Sequence, residues 1–213
     1  MTAVQQLKAR LMTIHVPEPK SIEARSLAQI FTEARTHNVF LGRAVSDELL
    51  QKAAELASMG PTSVNQSPLR VLFLRSAEAK ERLRPALAPG NLDKTMKAPV
   101  VAITAYDERF YEHLPFLFPH ADAKPWFSGD PVKAARSAFQ NGTLQVAYLI
   151  IALRAVGLDT GPMTGFDNAK VDSEFFPEGD VKSNVLINIG YGDHEKLFPR
   201  SPRLSFDQMA KII

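Results

Sequence analysis

Eleven residues, Gly157 to Asp167 (GLDTGPMTGFD), carry three glycines, a proline and two threonines directly after a long apolar run. That composition dictates an unusual backbone path rather than a packed core. A Gly-Pro pair followed by Thr-Gly can turn successive backbone N–H groups toward one acceptor, with Gly161 and Gly165 read as positions that tolerate positive φ and crowd nothing approaching them. Such a surface suits a flat, electron-accepting ring; the same letters also describe a tight turn joining a helix to the next element. Cationic side chains stand at three polar joints elsewhere: Arg35, Lys94, and Arg200 with Arg203. Two arginines from distant segments can fork onto a phosphate, which suits a phosphorylated cofactor that stays bound. Taken singly, each reads as a solvated surface charge.

Other chemistries find no support. The sequence has no G-x-G-x-x-G, Walker loop, H-E-x-x-H or G-x-S-x-G, and the histidines at 15, 37, 113, 120 and 194 share no metal-ligand spacing. No tyrosine has a lysine four residues on, so a tyrosine-lysine proton relay is absent. With no cysteine, disulfides, thiolate ligands and thiol nucleophiles are excluded. The formal charge of +2 is too small to imply nucleic acid or a membrane surface. The N-terminus lacks the apolar block of a secretory signal and no window holds eighteen uninterrupted apolar residues, which points to a cytoplasmic location.

The elements that must position these groups follow from periodicity and punctuation. At 213 residues the chain suits a single domain, residues 21–213, preceded by an arm, 1–20, that ends in two prolines. Helices are expected over Ser21–Ala34, from a cap at Ser46 to a stop at Gly60-Pro61, and over Ser76–Leu87. Buried strands are expected at Leu69–Leu74, Pro99–Ala105 and Asn184–Tyr191. Pro89-Gly90 reads as a turn before a short polar segment, Asn91–Lys97. An aromatic-rich excursion over 107–130 reads as a lid or core cover. The longest helical pattern, Pro131–Val156, is apolar nearly all round in its last half, so it is buried in the monomer or against a second copy. A short helix over Asp167–Phe175 and a capping box at Ser205–Gln208 complete the chain.

The strings ARTHN (34–38), GPTS-V-N (60–65), GNLDKTMKAPV (90–100), GLDTGPMTGFD (157–167), KSNVLINIGYGD (182–193) and PRLSF (202–206) resemble the nitroreductase family of flavin mononucleotide enzymes. The likeness runs from about Ser26 to the C-terminus and is nearest to the subfamily that reduces malonic semialdehyde. It implies an α+β fold with a central, mostly antiparallel sheet flanked by helices, in an intertwined homodimer. It also implies FMN as cofactor and NADH or NADPH as hydride donor. Position by position, Arg35 and Arg203 are implied to bind the flavin phosphate, with Thr36 and Asn38 near phosphate and ring. Asn91 and Lys94 are implied at the pyrimidine edge, where a cation lowers the cost of accepting hydride. Pro162 and Met163 are implied on one ring face, with the N–H of Thr164 or Gly165 reaching N5. Pro61, Thr62, Ser63 and Asn65 are implied to come from the partner subunit.

The chain departs from many family members at Asn38, often basic, and Thr164, often acidic; both replacements follow the subfamily. The resemblance implies a ping-pong oxidoreductase with no catalytic side chain and no metal, acting on malonic semialdehyde or a similar small carbonyl. Quinones and nitroaromatics are alternative acceptors. A flavin-binding sensor or store without turnover is the alternative of a different class.

Overall fold

The computed structural model describes residues 20–213, so all but the last residue of the expected arm lies outside the described residues. Four antiparallel strands form one sheet in the order β1-β2-β4-β3, where β1 is Leu69–Leu74, β2 Val100–Asp107, β3 Asp159–Met163 and β4 Val181–Gly190. Helices cover both faces: α1 (Ala24–Leu27, continued by a π turn over Ala28–Thr32), α2 (Asp47–Ser58), α3 (Ala77–Leu83), α4 (Pro89–Lys97), α5 (Leu114–Leu117), α6 (Pro125–Ser128), α7 (Pro131–Ala155), α8 (Asn168–Phe175) and α9 (Phe206–Met209). The α+β architecture is as expected.

Two covered faces explain why β2 reads as an unbroken apolar run. Its residues alternate: Val100 and Ala102 join Leu50, Ala53, Leu149 and Leu153 of α2 and α7, while Val101 and Ile103 join Leu83 and Val171 of α3 and α8. α7 lies across the first of these faces, with Leu149 and Leu153 fully buried. The aromatic excursion packs its own small cluster, in which Phe110 and Phe127 stack edge-to-face at 5.0 Å over Ala134 and Ala138.

Helix starts follow the polar caps. Ser46, Ser76 and Asp167 accept from the backbone N–H of Leu49, Ala79 and Lys170, and Ser205 and Gln208 form the capping box of α9. Asp130 caps α7, its Oδ1 accepting from Lys133 N at 3.0 Å. Asp130→Ala is expected to cost about 1 kcal/mol in urea unfolding, the usual worth of an N-cap. An unchanged midpoint would mean that α7 is held by packing alone. At the other end Gly157 turns the chain with φ 84°, the left-handed exit glycine permits.

Three expectations are corrected. The glycine-rich stretch is more than a tight turn outside the core: after Gly157, Asp159–Met163 is a strand paired with β4 from Asp159↔Gly190 to Met163↔Leu186, and Leu158, Thr160 and Met163 are buried. Pro162 is tolerated because β3 stands at the sheet edge. Gly161 and Gly165 have no positive φ; their missing side chains serve close approach instead. Pro89-Gly90 is not a turn but the first residues of α4, where proline's missing N–H costs nothing.

Candidate functional site

Arg35 and Thr36 leave the π turn and run alongside β3. Thr36 forms a parallel bridge with Thr160, and His37 N donates to Thr160 O at 3.0 Å. A Cβ on Gly161 would overlap His37 O, so glycine there is what allows the two segments to touch. ARTHN and GLDTGPMTGFD are thus two sides of one surface. The chain returns over it near its end: Arg200 Nη2 donates to Thr32 O (2.9 Å) and Ala34 O (3.1 Å), and Arg35 Nη2 donates to Phe198 O.

These segments and the end of α7 enclose a cleft of about 640 Å³ walled by Phe31, Thr32, Ala34, Arg35, Thr36, Asn38, Arg154, Phe198, Pro199, Arg200, Ser201 and Arg203. Four guanidinium groups share it and no carboxylate lines it. Among the described residues none of the four is in an ion pair; Arg35, Arg200, Arg203 and Arg154 all donate to backbone carbonyls. Arg154 is held by Ile30 O at 3.1 Å, its Nε is buried without a partner, and burial lowers its pKa, opposed by Asp159 and reinforced by Arg200. Like charges gathered without counter-charge repel one another, and a phosphate dianion would relieve both the repulsion and the unmet donors.

Beside this cleft α4 presents two side chains one turn apart. Lys94 Nζ donates to Asn38 Oδ1 at 3.2 Å, and Asn91 Nδ2 donates to Gly165 O at 2.8 Å. A continuous polar line therefore runs from the arginine cleft through Asn38, Lys94 and Asn91 to the end of β3. A Cβ on Gly165 would crowd Asn91 Nδ2, so that approach also requires glycine. Thr164 is exposed and borders two further cavities, one of about 530 Å³ with Tyr106, Phe139 and Lys182 and one of about 430 Å³ with Ala88 and Gly165. Pro162 is half-buried. Met163 turns its side chain into the core, accepting from Thr95 Oγ1 at 3.4 Å, so its main chain is what it can offer a ligand.

Pro61, Thr62, Ser63 and Asn65 stand apart from these residues. Ser63 N donates to Asn141 Oδ1 and Asn65 Nδ2 to Leu117 O. Asn141 and Arg154 are roughly 20 Å apart along α7 at 1.5 Å per residue. Within one chain the segment does not reach the arginine cleft. Sequence reasoning missed Arg154 as a wall of the cleft; its signal was a single charge in the apolar half of α7.

The nitroreductase family model matches residues 32–191, three quarters of the chain and every element of the sheet. The chain belongs to the nitroreductase family. Solved structures share the fold of this family member at low identity. A Bacillus subtilis protein named as a nitroreductase matches with TM-score 0.78 and 19% identity over 90% of this chain and 100% of its own. A protein of Exiguobacterium sibiricum, also named as a nitroreductase and solved in complex with FMN, gives TM-score 0.77 and 20% identity over 92% and 99%. A protein of Staphylococcus epidermidis named as an NAD(P)H:FMN oxidoreductase gives 0.76 and 19% over 92% and 100%. Among the described residues of this nitroreductase-family chain, no helix is long and apolar enough to cross a membrane.

Proposed function

We propose that this chain is an FMN-dependent NAD(P)H oxidoreductase that works as a homodimer and reduces a small carbonyl, with malonic semialdehyde and its product 3-hydroxypropionate as the first pair to test. The observation that carries the proposal is the cleft of four unpaired arginines beside the Asn38–Lys94–Asn91–Gly165 line. Arg35, Arg200, Arg203 and Arg154 would hold the phosphate, and Thr36 and Asn38 would flank it. When bound, the flavin supplies a two-electron relay between nicotinamide and acceptor. The balance is one carbonyl, one NAD(P)H and one proton giving an alcohol and NAD(P)⁺. Lys94, directed by its bond to Asn38, would supply positive charge to the reduced flavin. Asn91, anchored on Gly165 O, sets the spacing between α4 and β3.

Dimerisation is supported by an exposed apolar face, to which α7 contributes Leu144 (49% exposed) and Tyr148 (39%), one turn apart, and the end of α2 contributes Met59 (77%). Gly60 packs against the Tyr148 ring, so the Pro61–Asn65 segment begins at the border of that face. From there it can enter a second copy's site, although it cannot reach its own.

Purified protein is expected to be yellow, to bleach on anaerobic mixing with NADPH, and to regain colour when the acceptor is added. Protein that stays colourless after incubation with FMN contradicts the proposal. Comparing malonic semialdehyde, a quinone and a nitroaromatic under each nicotinamide decides the acceptor. Lys94→Ala is expected to slow the bleaching about tenfold, equivalent to ~1.4 kcal/mol of barrier, with little change in FMN affinity. Equal rates for variant and parent would rule out the charge argument.

A further inference from the structure

Among the buried polar groups that the cleft leaves unexplained is His37. Its ring is 1% exposed, and neither Nδ1 nor Nε2 has a hydrogen-bond partner. A buried imidazole with both nitrogens idle is costly unless something takes up a lone pair. Gly192 closes the Nδ1 edge, where a Cβ would overlap the ring. On the Nε2 side stands Asp159 Oδ1 at 3.4 Å, and the ring of His194 makes an edge contact with that of His37 at 5.0 Å. The ligand atoms of the three residues all lie within 4.8 Å of one another.

We infer that His37, Asp159 and His194 form a site for a divalent transition metal of the zinc type. The three come from separate parts of the fold: the segment beside β3, the first residue of β3, and the 3-10 turn His194–Lys196 that follows β4. Asp159 is already oriented, because Gly192 N donates to its Oδ2 at 2.8 Å and leaves Oδ1 toward His37. Fixing the second oxygen of a ligating carboxylate in this way is characteristic of supported metal sites.

The donor set selects the metal. Two imidazole nitrogens and one carboxylate suit Zn²⁺, Co²⁺ or Ni²⁺, whereas Mg²⁺ and Ca²⁺ take oxygen ligands. Bonds of 2.0–2.1 Å in a tetrahedron put ligand atoms about 3.3 Å apart, close to the His37–Asp159 spacing. His194 is exposed, so its side chain can swing in and the metal can enter from solvent, which also supplies the fourth ligand. The metal would clasp three segments that meet beside the phosphate cleft, since Thr36 and Asn38 on either side of His37 both line it. This inference stands whether or not the cleft holds FMN.

The test uses the full chain as purified, cleared of metal with a chelator and titrated with Zn²⁺ by calorimetry, with bound metal counted after dialysis. One Zn²⁺ per chain is expected. His194→Ala and Asp159→Asn should each weaken binding by at least tenfold. Circular dichroism and the thermal midpoint distinguish ligand loss from unfolding, and the exposed position of His194 makes its variant the cleaner of the two. As a second readout, Zn²⁺ should shift the ring ¹⁵N resonances of His37 and His194 together in the parent. Absence of stoichiometric binding, or binding that survives both substitutions in folded protein, overturns the inference.

Discussion

Replacing Arg35 by Ala is expected to weaken FMN binding by roughly 10- to 150-fold, the worth of a charge-assisted contact at about 1.5–3 kcal/mol. Arg35 is singled out among the four arginines because it is fixed from two directions. Its guanidinium donates to Phe198 O, tying it to the returning C-terminal segment, while the adjacent Thr36 bridges to β3. A fixed fork loses little side-chain entropy when a phosphate arrives, so the charge is used efficiently. Arg35→Lys keeps the charge without the planar fork and should recover only part of the loss. Riboflavin, which has no phosphate, should bind the parent and Arg35→Ala equally well. FMN affinities within twofold of each other would remove Arg35 from the phosphate site.

The largest expected effect on stability is that of Gly161→Ala. The new methyl would meet His37 O, a main-chain oxygen held by the Thr36–Thr160 bridge and the His37 N to Thr160 O bond. It cannot yield as a flexible side-chain end would. Overpacking of this kind costs about 2–3 kcal/mol. For a domain of this size that lowers Tm by roughly 5–10 °C. It should also lower flavin content, since the segment pushed away carries Arg35, Thr36 and Asn38. The control is Gly90→Ala: Gly90 lies in α4 with nothing near a Cβ, so alanine there is expected to be neutral or slightly stabilising. A Gly161→Ala protein melting within a degree of the parent would mean that the close contact is not maintained in solution.

Much of the scaffold was legible because its signals are local. The caps at Ser46, Ser76 and Ser205 depend on residues three or four apart, and the length of α7 is written in its apolar period. β3 was harder to read, since Gly161 and Pro162 are poor strand formers and only its edge position and its pairing to β4 make the strand possible. α4 was hidden for a related reason: proline and glycine at a helix start look like a turn until the following residues are seen to wind.

The site was legible as pieces and not as an arrangement. The paired strings were visible, but their contact depends on a missing Cβ at Gly161, which sequence reads only as backbone freedom. Arg154 entered the cleft because α7 happens to end there. The grouping of His37, Asp159 and His194 was out of reach for the same reason: no spacing along the chain foretells which turn a sheet will bring beside which strand.

The claim on which the functional account rests is that the arginine cleft recognises a phosphate on a flavin. Titrating flavin-free protein with FMN and with riboflavin, followed by flavin fluorescence, tests it most directly. The account predicts that FMN binds at least about 100-fold more tightly than riboflavin, equivalent to ~2.7 kcal/mol carried by the phosphate, and that the gap narrows as salt is raised. Equal affinity for the two, or binding of neither, would contradict it.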